Sequence, residues 1–145
     1  ALPISLTRFV LPLLVAGVFA SCATTASHHA TVAPFPARQV EFPAPPTGAG
    51  APKDARVVLT TPGLKLAAIT LRNGTTLPTH SAPVSVMIQA LHGTGVVHAN
   101  GVELTIDSTH AALLPPGLSH SVDPAPGTDL VLLVHHLGDE GEHHP

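Results

Sequence analysis

Residues 96–106 read VVHANGVELTI, two β-rich runs separated by the tetrapeptide Ala99-Asn100-Gly101-Val102. An Asn-Gly pair between two such runs predicts a tight β-hairpin, because both residues accept a positive φ. Similar runs lie on both sides of this hairpin, between turn residues such as Arg72-Asn73-Gly74-Thr75 and Pro115-Pro116-Gly117. The runs are RVVLT, LKLAAITL, VSVMIQAL, VVHA, VELTI, AALL and DLVLLVHHL. Seven or eight short strands at this spacing, over residues 56–137, predict an all-β domain, a small antiparallel sandwich or barrel.

The composition limits what this domain can be. Of the 145 residues, 44% are hydrophobic, 3% aromatic and 10% charged, and the scarcity of Lys and Glu argues against a helical bundle or coiled coil. Six basic residues and a net charge of −3 remove the electrostatic basis for binding nucleic acid. The single cysteine excludes an intrachain disulfide and a Cys-x-x-Cys zinc site. The length allows one domain with segments appended to it.

Residues 1–23 have the layout of an export signal. Arg8 precedes an apolar run over residues 9–20, and small residues and Cys22 follow. We therefore predict an uncleaved membrane-anchor helix or, since Ala20-Ser21-Cys22 resembles the end of a bacterial lipoprotein signal, a processed lipoprotein with lipid on Cys22. Because Arg8 favours a cytoplasmic N-terminus, both alternatives predict a bacterial membrane-anchored protein with its domain on the periplasmic, extracytoplasmic side.

Two further segments flank the predicted domain. Residues 24–55 contain six prolines between Pro34 and Pro52 and show no hydrophobic period of a helix or strand, which predicts an extended, semi-rigid linker. Residues 138–145 read GDEGEHHP and form a polar tail of acidic residues and histidines.

Two patterns within residues 56–137 resemble motifs of the cupin superfamily. The first is Gly74-x5-His80, in a segment that ends at Gly93, and the second is Pro115-x-Gly117-x2-His120. Cupin motifs usually read G-x5-H-x-H-x3,4-E-x6-G and G-x5-P-x-G-x2-H-x3-N. The chain is most similar to small single-domain cupins with a His-x-x-Pro start, as in His80-Ser81-Ala82-Pro83. This resemblance implies a jelly-roll barrel.

The same resemblance implies a degenerate metal site. Cupin enzymes usually hold a metal with two His and one Glu from the first motif and one His from the second, which assigns metal-ligand positions to His80 and His120. Ala82 stands at the second His position and Val86 at the Glu position. Catalytic zinc and non-haem iron sites generally use three protein ligands. We therefore expect no cofactor; the alternative is Fe, Mn or Zn with water completing the coordination.

A third imidazole from elsewhere in the chain would change that expectation. His135 and His136 are adjacent in a predicted strand, so one of them faces inward if the strand lines the barrel. His98 lies in another strand and can face either way. His92 and His110 lie beside turns, where we expect them to face water.

The lost ligands, the apolar N-terminal segment and the proline-rich spacer favour a non-catalytic role over an enzyme. They predict a membrane-tethered accessory subunit that docks on a larger membrane complex, for instance a photosynthetic or respiratory assembly. Its partners are then the membrane and subunits of that complex. The alternative is a metal-dependent cupin enzyme or a small-ligand-binding cupin that uses His80 and His120, with dioxygenase, isomerase or sensor activity implied by the resemblance alone.

Overall fold

The computed structural model describes residues 35–138, and these residues form the predicted all-β domain. The strands are β1 (Lys53–Thr61), β2 (Leu64–Leu71), β3 (Leu77–His80), β4 (Ser85–His92), β5 (Gly95–Ala99), β6 (Val102–Ile106), β7 (Ala111–Leu114), β8 (His120–Pro124) and β9 (Leu130–Leu137). Within residues 35–138 no helix could cross a membrane. The anchor or lipoprotein signal predicted for residues 1–23, with Cys22, and the tail from residue 139 lie outside the described residues.

Two antiparallel sheets make up the domain. The five-stranded sheet A has the order β1-β2-β9-β4-β7, and the four-stranded sheet B has the order β3-β8-β5-β6. Several sequence neighbours lie in different sheets, such as β2 and β3 or β8 and β9, so the chain crosses repeatedly between the layers. This is the arrangement of a jelly roll, which the resemblance to cupins implies.

The hydrophobic core lies between the inner faces of the sheets. Sheet A contributes residues at alternate positions of β4 and β9, among them Val86, Ile88 and Leu132, and sheet B contributes Val97 and Val122. All five are at most 2% exposed. One core therefore joins both sheets.

The predicted turns form as the residue types require. Asn100 and Gly101 both have positive φ, 48° and 76°, and they connect β5 to β6 as a two-residue hairpin. In the turn after β2, the Thr75 N–H donates to the Arg72 carbonyl oxygen over 2.9 Å.

Two of the nine strands, β3 and β8, are absent from the seven runs recognised in the sequence. Their sequences, LPTH and HSVDP, are short and contain a proline, which removes a ladder donor. Strand β1 begins at Lys53, so residues 53–55 of the predicted linker belong to the sheet.

Residues 35–52, called the strap below, have no regular secondary structure but lie against the barrel. Val40, Pro43 and Pro46 are half-buried while the rest of the strap is exposed. This spacing of three residues matches the turn of a polyproline II helix, so one side of the strap is packed. Pro43 and Pro46 line a groove of about 280 Å³ with Ala68 and Thr70 of β2.

Arg72, just after β2, holds the end of the strap. Its Nη1 donates to the Ala51 carbonyl oxygen over 2.8 Å, and its main-chain N–H donates to the Pro52 carbonyl oxygen over 2.8 Å. Gly50 lies directly against the guanidinium, since a Cβ built on it would be 2.7 Å from the Arg72 Cζ. The strap is therefore attached to sheet A at its C-terminal end.

Candidate functional site

The two histidines that the motifs single out are neighbours in the structure. His80 on β3 and His120 on β8 are cross-strand partners in sheet B. Their ring centroids are 4.4 Å apart and their planes make an angle of 55°. His120 is 2% exposed and follows the same alternation as the core residue Val122, whereas His80 is exposed. The pair therefore lies where the barrel interior meets solvent.

Both imidazoles are oriented by main-chain carbonyls two residues earlier in the chain. The His80 Nδ1 lies 2.8 Å from the Pro78 carbonyl oxygen, and the His120 Nδ1 lies 2.9 Å from the Leu118 carbonyl oxygen. A carbonyl oxygen only accepts, so each Nδ1 carries the proton and donates it. In the neutral rings each Nε2 then keeps its lone pair, as in histidines that bind metals.

The surroundings of His120 disfavour its protonated form. Burial lowers the pKa of the His120 imidazole, and the nearby His80 lowers it further by charge repulsion, against the hydrogen bond to Leu118, which raises it. Desolvation disfavours the charged form of a base.

The other two ligand positions of the cupin motif are occupied by aliphatic side chains. Val86 is 2% exposed and belongs to the core cluster, and Ala82 packs against that cluster. The Ala82 carbonyl oxygen accepts a hydrogen bond of 2.8 Å from the Gly117 N–H, which connects the loops of the two motifs. Two of the four positions to which the resemblance assigns metal ligands thus carry side chains without a donor atom. The residues present do not fit the four-ligand metal set of cupin enzymes.

No third donor completes the pair within the described residues. Residues 35–138 contain no group of three or more His, Cys, Asp or Glu side chains that could hold a metal ion. The strand register places His136 beside Val86, on the inner face that the core residue Val134 shares. His135 is therefore the outward member of the pair, and burial lowers the pKa of its imidazole.

His98 faces outward on β5. Its Nε2 lies 3.0 Å from the Asp123 Oδ2 and its Nδ1 lies 3.5 Å from the Glu103 Oε1. Both carboxylates come from neighbouring strands of sheet B, so His98 connects three strands. The sequence did not predict this contact, because Glu103 comes to lie opposite His98 only through the strand register.

Asp107 organises the turn between β6 and β7. Its Oδ1 accepts hydrogen bonds from the main-chain N–H groups of Thr109 and His110 and from the Thr109 hydroxyl. These bonds hold the pKa of the Asp107 carboxyl well below its usual range. His110 is exposed beside this turn, as predicted, and serves local structure. His92, which we expected to face water beside a turn, is instead the last residue of β4 and is half-buried.

Comparison with solved structures identifies the fold. The chain is similar to a cupin superfamily protein from Desulfitobacterium hafniense, with a TM-score of 0.56 and 13% identity over 68% of this chain and 93% of that one. It is similar to an RmlC-like cupin from Shewanella frigidimarina, with a TM-score of 0.55 and 16% identity over 71% and 86% of the two chains. The described domain has a cupin fold. No family model matches the sequence, and no curated protein matches it.

Enzymes also share this fold. The cupin barrel resembles salicylate 1,2-dioxygenase from Pseudoaminobacter salicylatoxidans, with a TM-score of 0.53 and 20% identity over 63% of this chain and 26% of that one. Identities of 13% to 20% establish the fold and leave the activity to the site.

Proposed function

We propose that this cupin is a non-catalytic accessory subunit, tethered to the extracytoplasmic side of a bacterial membrane and docked on a larger membrane complex. The observation that carries the proposal is the replacement of two metal ligands by Ala82 and Val86. Neither side chain can coordinate a metal, and Val86 is part of the core. Apolar packing thus occupies the two positions at which metal-binding cupins carry ligands.

The interior of the barrel agrees with a structural role. Ile88, Val97 and Leu132 fill the space between the sheets and are at most 1% exposed. The most deeply buried imidazole in residues 35–138 is His120, and its lowered pKa favours the neutral form. A filled interior supports a protein that acts through its surface.

Tethering is supported by the sequence before the barrel. The apolar run after Arg8 and the small residues around Cys22 provide either an anchor helix or a lipidation site. Either attachment would keep the barrel beside its membrane partner, which favours assembly by raising the local concentration.

The experiment is isolation of the protein from native membranes in mild detergent, followed by size-exclusion chromatography and quantitative mass spectrometry. We expect the chain to elute with a larger complex at a constant ratio to its other subunits across the peak. If the chain elutes without other subunits, at the size of a small detergent-bound monomer, the docking role is contradicted. Intact mass on the same sample would distinguish an uncleaved anchor from a chain that begins at a lipidated Cys22.

A second function, small-ligand or metal binding, is favoured by the geometry of the histidine pair. Because both Nδ1 atoms donate to carbonyl oxygens, both neutral rings keep a lone pair on Nε2, and the ring centroids are 4.4 Å apart. Calorimetric titration with Fe(II), Mn(II) and Zn(II) tests this alternative. One equivalent bound by the unmodified chain and lost in His80→Ala/His120→Ala would favour it over the structural role.

A further inference from the structure

The charges of the cupin domain are segregated along the chain. Residues 35–72 hold five Lys or Arg side chains and two carboxylates, whereas residues 73–138 hold four carboxylates and no Lys or Arg. The domain therefore has a positive part, made of the strap, β1 and β2, and a negative part made of the other strands and their turns.

The positive part forms one continuous margin of the molecule. Arg38 and Arg56 line a groove of about 260 Å³ between the strap and β1, and Arg56 and Arg72 line the adjoining groove of about 280 Å³. Lys53 begins β1, which is the end strand of sheet A and pairs with β2 alone. We call Arg38, Lys53, Arg56 and Arg72 the basic edge. Asp54 and Glu41 line its grooves, and Asp129 lies next to its Arg72 end, where Oδ1 accepts a hydrogen bond of 2.8 Å from the Asn73 N–H.

Three of the four carboxylates of residues 73–138 lie on sheet B or in the turn that follows β6. Glu103 is on β6 and Asp123 on β8, both in sheet B, and Asp107 and Asp129 lie in turns. An anionic surface would thus attract one side of the barrel and repel the other, which orients the molecule as well as binding it.

Exposed apolar side chains accompany the basic edge. Phe35 and Phe42 of the strap are 59% and 39% exposed, and Val57 of β1 is 60% exposed. Residues 43–138 contain no aromatic Phe, Tyr or Trp, so the described aromatic side chains are confined to the strap. Cations mixed with exposed aromatic side chains are typical of segments that lie on a bilayer surface.

We propose that the basic edge is the face that the cupin domain lays on anionic phospholipid headgroups. This inference rests on the proposed tethering, which would keep the domain beside a bilayer. The cations are spread along an extended strand and a strap, and they are interleaved with exposed Phe and Val side chains. That mixture suits a fluid layer of phosphates and acyl chains better than the defined carboxylate positions of an acidic protein.

The absence of Trp and Tyr from the sequence allows a clean test. Val57→Trp places a single fluorophore on β1 of the basic edge, and Val102→Trp places one on β6 at the margin of sheet B. Val102 is a matched control for Val57, since the two side chains are 53% and 60% exposed and both lie on end strands. Each full-length variant is reconstituted with vesicles of phosphatidylglycerol and brominated phosphatidylcholine, or of phosphatidylcholines alone.

We expect bromine quenching and a blue shift for Val57→Trp in the anionic vesicles and not for Val102→Trp. In the Val57→Trp background, Arg38→Gln/Arg56→Gln should weaken domain contact ~25-fold, at ~5-fold per removed cation. Equal quenching at both positions, equal quenching with and without phosphatidylglycerol, or quenching at neither position would overturn the inference. Flotation of the same samples separates the two proposals: a chain that does not float contradicts tethering, and one that floats with Val57→Trp unquenched contradicts the basic edge alone.

Discussion

The ionisation of His120 links the candidate site to the stability of the fold. Burial lowers the pKa of this imidazole in the folded protein below its ordinary value of 6.5. The unfolded chain therefore binds more protons than the folded one as the pH falls below 6.5. The contribution of neutral His120 to the free energy of unfolding is complete above pH 6.5. It is lost as the pH falls through the folded-state pKa.

We accordingly predict that the free energy of unfolding decreases between pH 7.5 and pH 5 and that His120→Gln reduces this decrease. His135, whose pKa is also lowered by burial, contributes a pH dependence of the same sign that remains in the variant. Urea denaturation of both proteins at several pH values measures the difference. Identical pH dependence in the two proteins would contradict a neutral, buried His120.

Placing donor side chains at the positions of Ala82 and Val86 tests our interpretation of the site. Val86→Glu alone should destabilise the domain by ~3 kcal/mol, because it places a carboxylate among buried core residues. In Ala82→His/Val86→Glu the full cupin ligand set is present, so Mn(II) or Zn(II) should raise its melting temperature. The parent chain, measured by the same thermal melt, should respond much less. A parent chain that responds as strongly as the double variant would show that two imidazoles suffice.

At the scale of single residues, the motif spacing selected two histidines, but the sequence did not predict the orientation of the histidine side chains. The motif spacing singled out His80 and His120, and cross-strand pairing brings them together. Alternation alone left open which of His135 and His136 faces inward, since either choice satisfies a period of two. Only the pairing of His136 with Val86 resolves it.

Among the elements, two turns require glycine for different physical reasons. One is the β5–β6 hairpin and the other follows the end of β4. Gly101 has φ 76° and open space around its missing Cβ, so Gly101→Ala should cost only the backbone term, ~1 kcal/mol. Gly93, the closing glycine of the first cupin motif, has φ 83°, and a Cβ there would lie 2.5 Å from the Asp129 carbonyl oxygen. Gly93→Ala should therefore cost clearly more, by ~3 kcal/mol or above. Thermal unfolding of both variants compares them, and equal losses would contradict the steric argument.

The strap provides the second prediction at this scale. Arg72→Ala removes the hydrogen bond to Ala51 and the contact with Gly50, so the strap should separate from sheet A more often. We expect faster amide exchange and proteolysis within residues 35–52 and a stability loss of ~1 kcal/mol. Arg38→Ala, on the exposed side of the strap, is the control and should leave exchange unchanged. Unchanged exchange in Arg72→Ala would mean that proline packing alone holds the strap.

The elements that sequence reasoning missed share a physical cause. β3 and β8 are short and contain proline, so periodicity alone did not reveal them, although the cupin motifs pass through both. The packed side of the strap repeats every three residues, at Val40, Pro43 and Pro46. A period of three is typical of neither an α-helix nor a β-strand. The packing of the strap also depends on contacts with residues that are distant in the sequence. The hairpin was predictable because its two turn residues specify their own backbone angles.

On the scale of the whole molecule, one core spanning both sheets implies one cooperative unit. Ile88 of sheet A and Val122 of sheet B belong to the same cluster and are 1% and 0% exposed. A loss of packing in one sheet should therefore weaken the other, rather than opening sheet A alone.

We predict that residues 35–138 fold alone with a far-UV circular dichroism spectrum dominated by strand, and that Ile88→Ala destabilises them by ~3 kcal/mol. Amide exchange in Ile88→Ala should accelerate together in β4 and in β8, because both elements open in the same global event. Leu113→Ala is the matched control on β7: that side chain is 66% exposed, so its loss should change stability by less than ~0.5 kcal/mol. A helical spectrum would contradict the fold. Acceleration confined to sheet A would instead show that the two sheets unfold independently, and the shared core would then not be what holds the barrel together.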